Sequence, residues 1–145
     1  MNDCTFCRIV KKEIPCYKIY ENNLYLGFLD SNPIVEGHVL LIPKIHYETI
    51  FELGEEETKN LGTTIKEVTD IFYKTFGSNI NIVNTNGQYA SQSVPHFHLH
   101  FIPRKKGDRL WDREKSKIVL DRSSGFERLK LDKKELENIL KKMSD

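Results

Sequence analysis

Histidine alternates with bulky apolar residues over His96-Phe97-His98-Leu99-His100, and this row constrains the fold more than any other segment of the chain. Residues two apart share one face of an extended strand, so the three imidazoles line one side at about 6–7 Å per step, while Phe97, Leu99 and Phe101 point the other way, into a core. All five histidines of the chain, at 38, 46, 96, 98 and 100, fall in short motifs. Three readings compete for the row. Burial with satisfied hydrogen bonds explains one histidine better than three in alternation. A metal site is the second, because paired imidazoles chelate zinc, copper or iron. Phosphoryl or nucleotidyl chemistry is the third: an uncharged imidazole nitrogen is a nucleophile near neutral pH, and its neighbours can donate hydrogen bonds to phosphate oxygens. Spacing alone does not separate the last two.

The rest of the chain limits the setting. With 145 residues, 39% of them hydrophobic, there is enough apolar surface for one compact domain, expected over 1–145. The charged residues, 30% of the total, nearly cancel to +1, which favours neither a nucleic-acid nor a membrane partner. Ten Lys or Arg against five Asp or Glu between Arg104 and Lys130 concentrate the basic excess late in the chain. Without an aromatic-studded RNA-binding motif, that stretch reads as a solvated segment rather than a nucleic-acid patch. The first residues lack a secretory signal, and no apolar run reaches a membrane span, so a soluble cytoplasmic protein is expected, a nuclear location being the secondary reading. Three cysteines cannot all pair within one chain; Cys4 and Cys7 read as metal ligands rather than a disulfide, and Cys16 as a small packing residue.

Phe6, Ile9 and Val10 suit a short helix ending before Ile14-Pro15. Strands are expected over Tyr17 to Glu21 and Tyr25 to Asp30, around an Asn22-Asn23 turn. The continuous apolar run from His38 to Pro43 reads as a strand buried on both faces. Leu61, Ile65, Val68, Phe72 and Phe76, spaced three and four apart, predict one long helix that starts in the acidic turn Glu55-Glu56-Glu57 and stops at Gly77. Asn79 to Asn84 alternates polar Asn79 and Asn81 with apolar Ile80 and Ile82, as a half-buried strand does, and His96 to Ile102 forms another strand. Asp132 with Glu135 predicts a capping box for a last helix whose apolar face is Leu136, Ile139, Leu140 and Met143. Hairpin-like strands interrupted by one long helix give an α+β fold with a mostly antiparallel sheet.

The segment from Asn84 through Gly87, Gln92 and Ser93 to the His96–His100 row resembles the signature of histidine triad (HIT) proteins. The stretch from Phe28 through Asp30 and Gly37-His38 to His46 is similar to that family's nucleotide-binding half. Together they cover roughly residues 4–103, leaving 104–145 as a charged C-terminal extension that ends in a helix. The resemblance implies a HIT-like fold and a hydrolase in which His98 attacks the α-phosphorus of a purine nucleotide to form a nucleotidyl-histidine, which water then releases. It implies that His100 and His38 stabilise the phosphate, that Ser93 bonds the phosphate or leaving group, and that the backbone of Gln92 to Val94 adds donors. Asp30 would accept from the ribose hydroxyls, Phe28 would pack on the base and Asn84 would face the nucleotide. Ser91 departs from the pattern, since glycine is common there.

A zinc-bearing, Hint-like branch of the family implies a structural Zn2+ on Cys4, Cys7, His46 and His96. Because the intermediate is itself a phosphorus–nitrogen bond, nucleoside phosphoramidates are the favoured substrates, as for an adenosine 5'-monophosphoramidase. A dinucleoside polyphosphate hydrolase or nucleotidyl transferase would use the same histidines, and a nucleotide-binding regulatory module without significant turnover is a further alternative. Relatives of this type form two-fold homodimers with a continuous sheet. Trp111 is expected either to cover the base or the partner's site, or to serve in packing.

Overall fold

The computed structural model describes residues 3–110 and 128–144; Trp111 lies outside them. The elements run α1 (Thr5–Val10), β1 (Lys18–Glu21), β2 (Tyr25–Leu29), β3 (Val39–Pro43), α2 (Glu55–Phe76), β4 (Ile80–Val83), β5 (Leu99–Pro103) and α3 (Lys133–Ser144). The five strands form one sheet in the order β1-β2-β3-β5-β4, with every neighbouring pair antiparallel. This is the α+β fold that the strand and helix signals predict. No helix among the described residues is long and apolar enough to cross a membrane.

Two-residue periodicity decides what lies on each face of the sheet. Val39 and Leu41 of β3 join Tyr25, Leu29, Phe97, Leu99 and Phe101 in the main core, which Val68 and Phe72 of α2 and Leu136, Ile139 and Met143 of α3 cover. The rings of Phe72 and Phe101 stack at 5.8 Å. Leu40 and Ile42 face the other way and pack with Leu26, Phe28, Phe6 and Ile9 beneath α1. Every residue of β3 is therefore buried, as its unbroken apolar run requires. The histidine row belongs to this second face. Phe28 pairs with Leu40 and Leu40 with His100, so the three lie side by side across β2, β3 and β5.

Local signals set the ends of the elements. Helix α2 begins with three glutamates and ends at Gly77, whose φ of +89° suits glycine. Ahead of α3 the Asp132 N–H donates to Glu135 Oε1 at 3.3 Å and the Glu135 N–H to Asp132 Oδ1 at 2.8 Å, the reciprocal pattern of a capping box. Gly37, at φ +90°, turns the chain into β3, and a Cβ there would meet the Phe76 ring at 2.5 Å.

One expectation needs correction. The last strand begins at Leu99, not at His96. His96 donates its N–H to Val94 O, and Phe97 donates to Tyr47 O, so loop contacts hold the first part of the row outside the ladder. Ile82 keeps its place in the alternation of β4 but is 41% exposed, because β4 is an edge of the sheet.

Candidate active site and metal centre

The hydrogen bonds of the histidines fix their tautomers. His98 Nδ1 lies 2.7 Å from the carbonyl oxygen of His96. A carbonyl only accepts, so Nδ1 carries the proton and Nε2 of a neutral His98 carries the lone pair. The Ile34 N–H donates to His38 Nδ1 at 3.2 Å, so His38 Nε2 must hold the hydrogen that it directs at His100 Nδ1, 2.9 Å away. His100 is thereby left with its own N–H on Nε2. One backbone amide thus sets the imidazoles of His38 and His100, making His100 Nε2 a donor, while the His96 carbonyl makes His98 Nε2 an acceptor.

Burial holds His38 and His100 far below the ordinary histidine range, and neighbouring positive charge, that of Arg128 included, pushes the same way. His98 is also lowered, chiefly by burial. A histidine neutral when folded and protonatable when unfolded makes the unfolded state the better proton binder once pH drops below about 6.5. Folding free energy is therefore expected to fall as pH falls from 7 to 5, with a slope approaching about 1.4 kcal/mol per pH unit for each such histidine. Urea unfolding across that range checks this; an unchanged stability would contradict neutral burial.

Beside His98 and His100 opens a cavity of about 440 Å³, a size suited to a small ligand. Its apolar lining includes Phe6, Ile9, Ile14 and Phe28. Asp30, Asn32, Ser93 and Arg128 supply its polar lining with the two histidines. Asp30 Oδ1 accepts the Asn32 N–H at 2.9 Å, and Oδ2 lies 3.2 Å from Arg128 Nη1. Phe6 meets Phe28, His96 and His98 edge-on at 5.9, 5.6 and 5.2 Å between ring centroids, so α1 roofs the histidine row.

The other candidate centre lies at the start of the same helix. Ligand atoms of Cys4, Cys7, His46 and His96 all fall within 4.8 Å of one another. Cys4 Sγ is 3.3 Å from His96 Nδ1, Cys7 Sγ is 3.3 Å from His46 Nδ1, and Cys7 Sγ to His96 Nδ1 is 3.7 Å. Ordinary zinc–sulfur and zinc–nitrogen bond lengths in a tetrahedron give an S···N edge of about 3.6 Å. His96 Nε2 lies 3.0 Å from the Pro43 carbonyl, which places its proton there and frees Nδ1 to be a ligand. Burial lowers the pKa of His96 to about 4, keeping the neutral form a ligand needs. These residues can hold a tetrahedral metal ion.

The residues singled out in the sequence divide by position. Phe28, Asp30, Ser93, Val94, His98 and His100 line the cavity. His38, with no exposed surface, sits behind His100 and bears on the cavity through it. Asn84 and Gln92 do not line it. Asn84 Nδ2 donates to the His98 carbonyl at 2.9 Å, while Gln92 accepts the Gly87 N–H and donates to the Glu48 carbonyl, each at 2.7 Å. Both brace the loop ahead of β5. Ser91 adopts φ +68°, the left-handed region that favours glycine, so the loop follows a glycine path at a cost of roughly 1–2 kcal/mol. Three lining residues carry no site signal in the sequence: Phe6, which the Cys4 and Cys7 positions flank; Cys16; and Arg128, which no local pattern marks.

Comparison with known proteins bears on both centres. The HIT domain family model matches residues 11–107, more than half of the chain. The adenylylsulfatase HINT3 of Arabidopsis thaliana is 40% identical over 114 residues, 78% of this chain and 58% of that protein, so the match spans less than two thirds of that relative. An adenosine 5'-monophosphoramidase of Schizosaccharomyces pombe is 43% identical over 102 residues, 70% of this chain and 74% of that one. Among solved structures, a zinc-bound histidine triad family protein from Mycobacterium smegmatis superposes with a TM-score of 0.72 at 27% identity, covering 99% of this chain and 94% of that one.

Proposed function

Because the chain belongs to the histidine triad family, in its Hint-like branch, we propose that it is a nucleotide hydrolase that cleaves purine nucleoside phosphoramidates through a nucleotidyl-histidine on His98. The observation that carries this reading is the His98 Nδ1–His96 carbonyl bond of 2.7 Å, which reserves Nε2 as a lone-pair donor on a residue lining the cavity. In the first step His98 Nε2 bonds to the α-phosphorus, and the phosphorus–nitrogen bond to the leaving amine breaks as that amine takes up a proton. Water then attacks the same phosphorus, the bond to His98 breaks, and the nucleoside monophosphate leaves. His100, its tautomer set by His38, donates from Nε2 to a phosphate oxygen as negative charge builds. Ser93 offers a hydroxyl on the leaving-group side. Asp30 takes the ribose hydroxyls and Phe28 and Phe6 enclose the base, in keeping with a cavity lined by both polar and apolar side chains. The name of the fission-yeast relative supports the substrate class.

In this reading the metal is a structural zinc, which ties α1 to the His96 end of the row and supplies no reacting group. A homodimer belongs to the reading as well. Strand β4 is a sheet edge carrying half-exposed Ile82, and Phe51 and Tyr89, at 88% and 101% exposure, lie on segments near it that the Ile50 N–H to Asn86 bond joins. Sedimentation equilibrium is expected to give twice the chain mass at micromolar concentration; a monomer would remove this element. The main test is turnover of adenosine 5'-phosphoramidate beside diadenosine polyphosphates. The phosphoramidate should be hydrolysed with the larger kcat/KM, and a preference for the polyphosphates would shift the chain to the alternative hydrolase class.

A further inference from the structure

Arg128 stands outside both motifs and outside the residues the family model matches, yet it lines the cavity. It arrives there on the segment that leads into α3. The Leu129 N–H bonds the Pro33 carbonyl at 2.8 Å, and Arg128 Nη1 reaches Asp30 Oδ2 at 3.2 Å and the Asn32 carbonyl at 3.0 Å. Both side chains of the ion pair are largely covered, with 20% and 17% exposure for Arg128 and Asp30.

The charge balance of the cavity makes this position consequential. Among the described residues that line it, Asp30 is the sole acid and Arg128 the sole permanent cation. The tautomer chain from Ile34 leaves His38 and His100 without positive charge. A cavity holding a carboxylate and uncharged imidazoles would repel a nucleotide's phosphate, and partial burial strengthens that repulsion. Arg128 offsets Asp30 and adds attraction for the incoming anion.

We infer that Arg128, delivered by the C-terminal segment, is a specificity-determining residue that selects phosphorylated nucleosides over uncharged ones. Its charge and position, not a spare hydrogen bond, give Arg128 this role, which rests on the nucleotide reading of the cavity. Calorimetric titration of the full chain with AMP and with adenosine tests it. Wild-type affinity for AMP should fall as salt is raised while that for adenosine stays level. Arg128→Gln should weaken AMP about tenfold, flatten its salt dependence and change adenosine less than twofold. Arg128→Lys, which keeps the charge, should hold AMP within about threefold of wild type. Equal weakening of both ligands, an unchanged AMP affinity in Arg128→Gln, or an Arg128→Lys as weak as Arg128→Gln would each overturn the inference while leaving the nucleotide reading standing. A wild-type chain that binds neither ligand would defeat that reading and this inference together. Thermal midpoints of the variants separate any strapping role of the segment from selection by charge.

Discussion

Replacing His98 with alanine should abolish turnover of a nucleoside phosphoramidate, with kcat falling by about 10⁴-fold or more, as when the nucleophile of covalent catalysis is removed. AMP affinity should stay within a few-fold, since Phe28, Asp30, His100 and Arg128 remain in place around the cavity. His98 is only 2% exposed and packs against Phe6, so alanine leaves a small void. Asparagine at the same position keeps a polar side chain of similar reach and should be as inactive, which separates chemistry from packing. A His98→Ala chain that kept a tenth of the wild-type rate would exclude this residue as the nucleophile. The prediction follows from ring orientation: with Nδ1 committed to the His96 carbonyl, one nitrogen is left to react.

Loss of the metal should be the largest single blow to stability. Protein prepared without chelator should carry about one equivalent of zinc per chain. Stripping it, or substituting Cys7 by serine, should cost on the order of 3–5 kcal/mol and lower Tm by roughly 10 °C or more. The reason is local. Helix α1 has six residues, and its N-cap is Cys4 itself, whose sulfur accepts the Cys7 N–H. So short a helix has little stability of its own. Without the cross-link it depends on Phe6 and Ile9 packing on Phe28, Leu40 and Ile42. The same loosening would unroof the histidine row, so AMP affinity should fall with Tm. A chain that contains no zinc as purified, or that melts at the same temperature after chelation, would contradict the structural role.

Much of this architecture was legible in the sequence because its signals are local and periodic. The three-and-four spacing from Leu61 to Phe76 with Gly77 behind it marks α2 from Glu55 to Phe76. The capping pair Asp132 and Glu135 places α3. The four side chains that can hold a metal ion, drawn from three separate segments, meet because α1 lies over the sheet where β3 ends and the row begins. What was not legible depends on contacts between distant segments. Alternation assigned His96, His98 and His100 to one strand with even spacing, but main-chain bonds to Val94 and Tyr47 pull the first part of the row away from the ladder, and the rings of His98 and His100 come to 4.9 Å. Ile82 follows the alternation yet stays half exposed, because nothing in a strand's own pattern says that it is an edge. His38 could be placed beside the phosphate site but not behind His100, a matter of one hydrogen bond between residues 62 apart. Arg128 carried no signal, since a basic residue in a basic segment has no pattern that aims it at Asp30 98 residues earlier.

Covalent capture of the reaction intermediate tests the central claim most directly. Wild-type chain mixed with excess adenosine 5'-phosphoramidate and quenched in alkali within a turnover should gain the mass of one adenylyl group, and peptide mapping should put it on His98. The same treatment of His98→Ala should leave the mass unchanged. Adenylylation of any other residue, or steady hydrolysis with no adduct at any quench time, would contradict a nucleotidyl-histidine on His98.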